Sequence, residues 1–81
     1  MKEIGEIFSY YGNIEVAAIK LTGNLRVGDK IKIQGHTTDF EQIVDSMQIE
    51  HEMVNNAKKG DSVGIKVEEK VRKGDIVYKV E

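Results

Sequence analysis

Apolar and polar residues alternate one by one in three stretches of the chain, the period of strands with one buried face. In KIKIQ, Ile31 and Ile33 share a face against Lys30, Lys32 and Gln34. In SVGIKVE, Val63, Ile65 and Val67 turn inward, opposite Ser62, Gly64, Lys66 and Glu68. DIVYKVE sets Ile76, Tyr78 and Val80 on one face. Upstream, EIGEIFSY and IEVAAIKL predict two more strands joined at YGN, where Gly12-Asn13 supplies a turn. The alternation of the first of these is muddled.

The run TDFEQIVDSMQIEHEMV is the longest without glycine. Phe40 and Val44 have one parity, whereas Met47, Ile49 and Met53 have the other, so a bulge or sharp coil is expected between Val44 and Met47. Phe40, Ile43, Val44 and Met47 also fit helical spacing for two turns. The single alternation from Met47 to Met53 favours strand. VNNAKKG predicts a short helical turn or loop.

Gly-Asp occurs three times, at Gly28-Asp29, Gly60-Asp61 and Gly74-Asp75, each directly ahead of an alternating run. Glycine permits the positive φ of a tight turn, and aspartate can bond neighbouring backbone amides. Geometry is a sufficient reason for the repeat. No Gly-x-x-x-x-Gly-Lys-Ser/Thr is present, so nucleotide binding through a P-loop is excluded. About six strands without an assured helix predict an all-β domain, closed into a small six-stranded barrel that hides its edges.

With 81 residues, the chain is read as one domain over 1–81, with a single core and no room for a deep active site. No run of about 20 apolar residues occurs, and the N-terminus MKEIGEIF is too polar for a signal peptide. The absence of cysteine removes disulfides and thiolate metal sites and fits a reducing cytoplasm. Net charge is only −2. From Ile33 to Ala57 there are five acids and no lysine or arginine, whereas Lys58 to Lys73 holds six basic residues against three acids. That asymmetry reads either as a solvated surface or as a patch that steers an anionic partner.

LTGNLRVGDKIKIQG and the segment from IVDSM to DIVYKV resemble the second domain of translational GTPases such as elongation factor Tu and initiation factor two. Gly23, Leu25, Gly28, Asp29 and Ile31 match one motif of that family. Ser46-Met47 matches a second, Ala57, Gly60, Asp61, Val63, Gly64 and Ile65 a third, and Val71, Gly74, Asp75, Ile76 and Val77 the last. The likeness runs from about Lys2 to Val80 and implies a closed six-stranded Greek-key barrel. A second resemblance is equally close. The C-terminal accessory barrel of collagenase-like peptidases carries V-G-D-x-I-x-I-x-G and D-F-x-Q-x-V-x-x-M, matched by Val27 to Gly35 and by Asp39, Phe40, Gln42, Val44 and Met47. Neither barrel is the catalytic part of its parent, and no GTPase domain or peptidase body lies within these residues. The resemblance therefore implies a barrel by itself.

Candidate chemistry is sparse. His36 and His51 are the only histidines, and neither has metal-ligand spacing. His51 shares parity with Ile49 and Met53, which places it partly buried or at a rim, with Glu50 and Glu52 facing away. Ser9, Ser46 and Ser62 have no adjacent histidine. No catalytic residue, metal or cofactor is expected, and the chain is read as non-enzymatic. GHTTDF, with His36, Thr37 and Thr38, is either a self-bonded hairpin tip or a contact loop. Lys58, Lys59, Lys70, Arg72 and Lys73 are the candidate basic rim. Tyr10 and Tyr11 end a strand and cannot both face inward, so one, taken as Tyr11, is either a stacking platform or a lid over the barrel end. The leading expectation is a translation-factor-like module contacting RNA, tRNA or a translation protein; the alternative is a protein–protein adaptor beside a separately encoded peptidase-like chain. No membrane contact is expected.

Overall fold

A computed structural model describes residues 1–80. Among them are ten strands and no helix: β1 (Lys2–Tyr11), β2 (Val16–Leu21), β3 (Leu25–Arg26), β4 (Lys30–Gln34), β5 (Asp39–Ile43), β6 (Met47–Ile49), β7 (Glu52–Val54), β8 (Asn56–Ala57), β9 (Ser62–Lys66) and β10 (Ile76–Lys79). Eight form one antiparallel sheet in the order β5-β4-β10-β1-β2-β9-β6-β7, and β3 pairs with β8 apart from it. The all-β expectation holds. The closed six-stranded barrel is corrected: β5 and β7 are edges, no ladder joins them among the described residues, and the sheet curls as a half-barrel.

A side chain bridges the seam instead. Gln42, on edge strand β5, is buried. Its Nε2 donates to the Lys66 carbonyl at 2.9 Å, and its Oε1 accepts from the Glu68 N–H at 2.8 Å. One carboxamide thereby satisfies a donor and an acceptor that a further strand would otherwise have paired.

The three Gly-Asp sites are copies of one device. In each, a basic residue opens a four-residue turn, the glycine takes φ near +97° and the aspartate closes it. The Asp29 carboxylate accepts from the Arg26 N–H at 2.9 Å, that of Asp61 from Lys58 at 3.0 Å, and that of Asp75 from Arg72 at 2.9 Å. Each turn then clasps a buried residue of the neighbouring strand by two backbone bonds. The N–H of Gly28 donates to Val44, that of Gly60 to Leu21 and that of Gly74 to Ile7, and each of these residues donates back to the following aspartate carbonyl. The residue before each turn, Leu25, Ala57 or Val71, is buried. The second residue after each aspartate, Ile31, Val63 or Val77, enters the core.

That register corrects the reading of the last strand. Val77 is fully buried, whereas Ile76, Tyr78 and Val80 are only half-buried on the other face. β1 is muddled in sequence for a physical reason: its pairing shifts register between Glu3 and Gly5, against β10, and again between Ile7 and Ser9, against β2. Each shift flips the inward parity, so Ile4 and Ile7 are both buried while Phe8 points out. The glycine-free run 38–54 is three strands. It breaks after Val44, as expected, and again at Glu50-His51, two non-glycine residues with φ of 51° and 67°. His51 is thus an exposed hairpin tip, not a strand residue facing away from its glutamates. VNNAKKG holds the short strand β8 and a Gly-Asp turn rather than a helical turn.

The core is aliphatic, built from residues such as Ile4, Ile19, Ile33, Ile65 and Met47 with no fully buried ring. The ion pairs Lys30–Glu41, Lys32–Asp39 and Lys79–Asp29 are surface features worth about 0–1 kcal/mol each. Gly35 is tightly enclosed, because a β-carbon there would collide with the Asp75 carboxylate. Gly35→Ala is expected to cost about 1–3 kcal/mol through overpacking, read as a lowered urea midpoint.

Candidate functional site

Strand direction decides how the basic residues are distributed. β9 runs parallel to β1 and β10 antiparallel to it, since each is fixed by its antiparallel ladders. The turn entering β9 extends past the Gly5 end of β1, and the turn entering β10 extends past Ile7 in the opposite direction. Lys58 and Lys59 therefore lie at one end of the sheet, and Arg72 and Lys73, preceded in the same loop by Lys70, at the other. The basic rim expected as one patch is divided in two. All five side chains are exposed.

Each half has its own neighbours. Lys58 joins Arg26, Asn24 and Asn56 around a shallow polar hollow, because β3 and β8 pair the first two Gly-Asp motifs back to back. The other half sits beside the β4–β5 hairpin, since the Asp75 carboxylate packs on Gly35. In that hairpin the Gly35 N–H donates to the Thr38 carbonyl at 2.7 Å, leaving His36 and Thr37 exposed at the tip. Thr38 is 5% exposed, so it is a structural residue of the turn rather than a contact residue.

A third surface includes only Tyr11 and His51 among the residues singled out in sequence. Cross-strand register sets Ser9, Ala18, Gly64, Gln48 and Met53 in one row across β1, β2, β9, β6 and β7, on the outer face. The small side chains in the middle of this row form the floor of a hollow of about 300 Å³. Phe8, Tyr11, Ile14 and Val16 wall it on one side, and Gln48, Glu50 and His51 on the other. Tyr10 packs on the core while Tyr11 is exposed, the division of labour expected of the pair. Phe8 is one of the few aromatics of the chain and is turned outward by a bulge, whereas Ile14, in a hairpin loop, carried no signal in sequence.

Among the described residues no three of His, Cys, Asp and Glu gather where a metal could bind. The serines are hydrogen-bonded to no histidine among the described residues, and no helix there is long and apolar enough to cross a membrane.

Fold and surface define a small all-β domain with a curled sheet and an apolar hollow on its outer face. Its likeness is to peptidase-associated domains. The chain is 48% identical over 77 residues to an uncharacterized protease of Methanocaldococcus jannaschii, and 36% identical over 78 residues to a collagenase of Porphyromonas gingivalis. Both matches cover 94% of this chain but only 19% and 22% of the relatives. In structure it resembles two determinations of the C-terminal domain of a Geobacillus thermoleovorans protein assigned as a U32 peptidase. The TM-scores are 0.92 and 0.93 at 17% and 18% identity, covering 96% and 99% of this chain and 99% and 93% of those. No protein-family model matches. The sequence relatives are thus proteins named as a protease and a collagenase, and the fold is that of the C-terminal domain of a U32 peptidase. The expectation of a translation-related, RNA-binding module is overturned by these relatives, none of which is a translation factor.

Proposed function

We propose that the chain is a non-catalytic accessory domain that serves the catalytic body of a collagenase-like, U32-type peptidase. The observation that carries this reading is the shape of the match: nearly the whole chain aligns with about a fifth of each relative. The two basic ends, Lys58 with Lys59 and Lys70, Arg72 and Lys73 with His36 and Thr37, serve on this reading as peripheral contacts to that body. A fold by itself does not specify a reaction, so the test must be functional.

The Porphyromonas gingivalis collagenase provides it. Deleting its matching 78-residue segment is expected to lower gelatin cleavage severalfold, and inserting this chain in its place to restore most of it. The 81-residue chain alone should cleave nothing. Full cleavage by the deletion variant, or cleavage by the chain alone, would overturn the reading.

A further inference from the structure

We propose that the outer-face hollow lined by Phe8, Tyr11 and Ile14, with Met53 next to it in the same row, is the surface by which this domain seats on the peptidase body, taking an apolar segment of that body as its occupant. The inference rests on the accessory-domain reading and gives it a location.

The first argument is concentration. Among the described residues, exposed large apolar side chains number seven, and three of them, Phe8, Tyr11 and Ile14, line this hollow. A fourth, Met53, is paired directly across the ladder with Gln48, another lining residue. These four are 44–65% exposed. Single exposed apolar residues are ordinary, whereas a cluster on one face marks an interaction surface.

The second argument is shape. The inner face of the same strands presents Tyr10, Ala17, Ile65, Met47 and Val54 as a filled row. The outer row has only Ala18 and Gly64 at its centre, which leaves a floor low enough for a side chain to enter. Gly64 holds that floor down: a β-carbon there would stand 3.3 Å from the Val16 side chain. A hollow of about 300 Å³ with one apolar wall and one polar wall suits one or two anchoring side chains, the usual core of a docking interface.

The third argument concerns what is available to fill it. About four-fifths of each relative lies outside the matching segment, so in those proteins a much larger body is tethered to a domain of this kind. The lining contains the carboxylate of Glu50 and no lysine or arginine, which favours an apolar anchor flanked by a basic residue.

The test uses a chimera of the Methanocaldococcus jannaschii relative in which this chain replaces the matching 77 residues, with a specific protease site at the junction. After cutting, the domain is expected to co-elute with the body in gel filtration. Ala18→Glu, which puts a charge on the floor, and Ile14→Ser, which alters a loop side chain away from the core, should each release it. Ile43→Ser, an exposed apolar residue on β5, should not. Circular dichroism of each isolated variant separates release from unfolding. Retention of folded Ala18→Glu and Ile14→Ser would overturn the assignment of this surface and leave the accessory reading intact. Release of the unaltered domain would overturn the docking proposal, and the gelatin assay then decides separately whether the accessory reading survives. If the isolated chain dimerises and Ala18→Glu abolishes this, the occupant is a second copy and the proposal fails.

Discussion

Replacing Gly28, Gly60 and Gly74 together by alanine is expected to remove most of the stability of this domain. All three glycines hold φ near +97°, and at none would a β-carbon meet another atom within 4 Å. The cost is therefore backbone strain without a packing component, about 1–2 kcal/mol per residue. The clasped partners differ, so the effects should sum to about 3–6 kcal/mol, with any coupling expected between the first two turns, which the β3–β8 ladder joins. A chain of 81 residues has about 4–12 kcal/mol in total. Equilibrium urea unfolding of the three single variants checks the premise, because three copies of one device should give three similar losses. A single variant that loses nothing would show that its turn is not held as the other two are. Summed losses well above the triple variant's own would show that the turns are coupled through the core.

Those turns were legible in sequence because their chemistry is complete within four residues. The glycine, the aspartate and the amide it caps are all local, and only the clasped strand is distant. What failed to be read was set by distant pairing. In DIVYKVE, three apolar residues of one parity outnumber Val77, yet Val77 is the core residue. The Gly-Asp copies carried the correction, since the second residue after Asp29 and Asp61 is inward in both alternating strands. The turn at Glu50-His51 lacks the glycine or asparagine that ordinarily marks left-handed backbone, and apolar parity runs straight across it. The basic residues from Lys58 to Lys73 are contiguous in sequence, but the chain crosses the whole sheet along β9 between Lys59 and Lys70. The hollow depends on β1 register shifts that no local pattern specifies. The likeness to translational GTPases rested largely on the three Gly-Asp motifs and the apolar residues around them, which are turn and core geometry and carry no function. The likeness to peptidase barrels rested partly on Phe40, Gln42, Val44 and Met47, and two of these hold specific structural posts: Gln42 bridges the seam and Val44 is clasped by the first turn.

Gln42→Leu is expected to destabilise the domain by about 2–4 kcal/mol, because it leaves both the Lys66 carbonyl and the Glu68 N–H without their partner at the seam. Leucine nearly conserves the volume, so a packing role alone would make the change almost neutral. Gln42→Glu separates the two bonds. An ionised carboxylate still accepts from Glu68, but it turns an acceptor toward the Lys66 carbonyl, where the carboxamide presented a donor. Protonation restores the donor, so the folded protein favours the neutral acid and raises its pKa above the unfolded value. By linkage, the stability that the protonated group contributes is fully present below the unfolded value, about pH 4.3, and is lost as pH rises through the higher folded value. Unfolding measured across that range should show Gln42→Glu approaching the unaltered protein in acid and falling away toward neutrality, while Gln42→Leu keeps a constant deficit. Parallel pH profiles for the two variants would mean that the carboxamide does not close the half-barrel. The curl of the sheet would then have to come from its bulges and clasped turns alone.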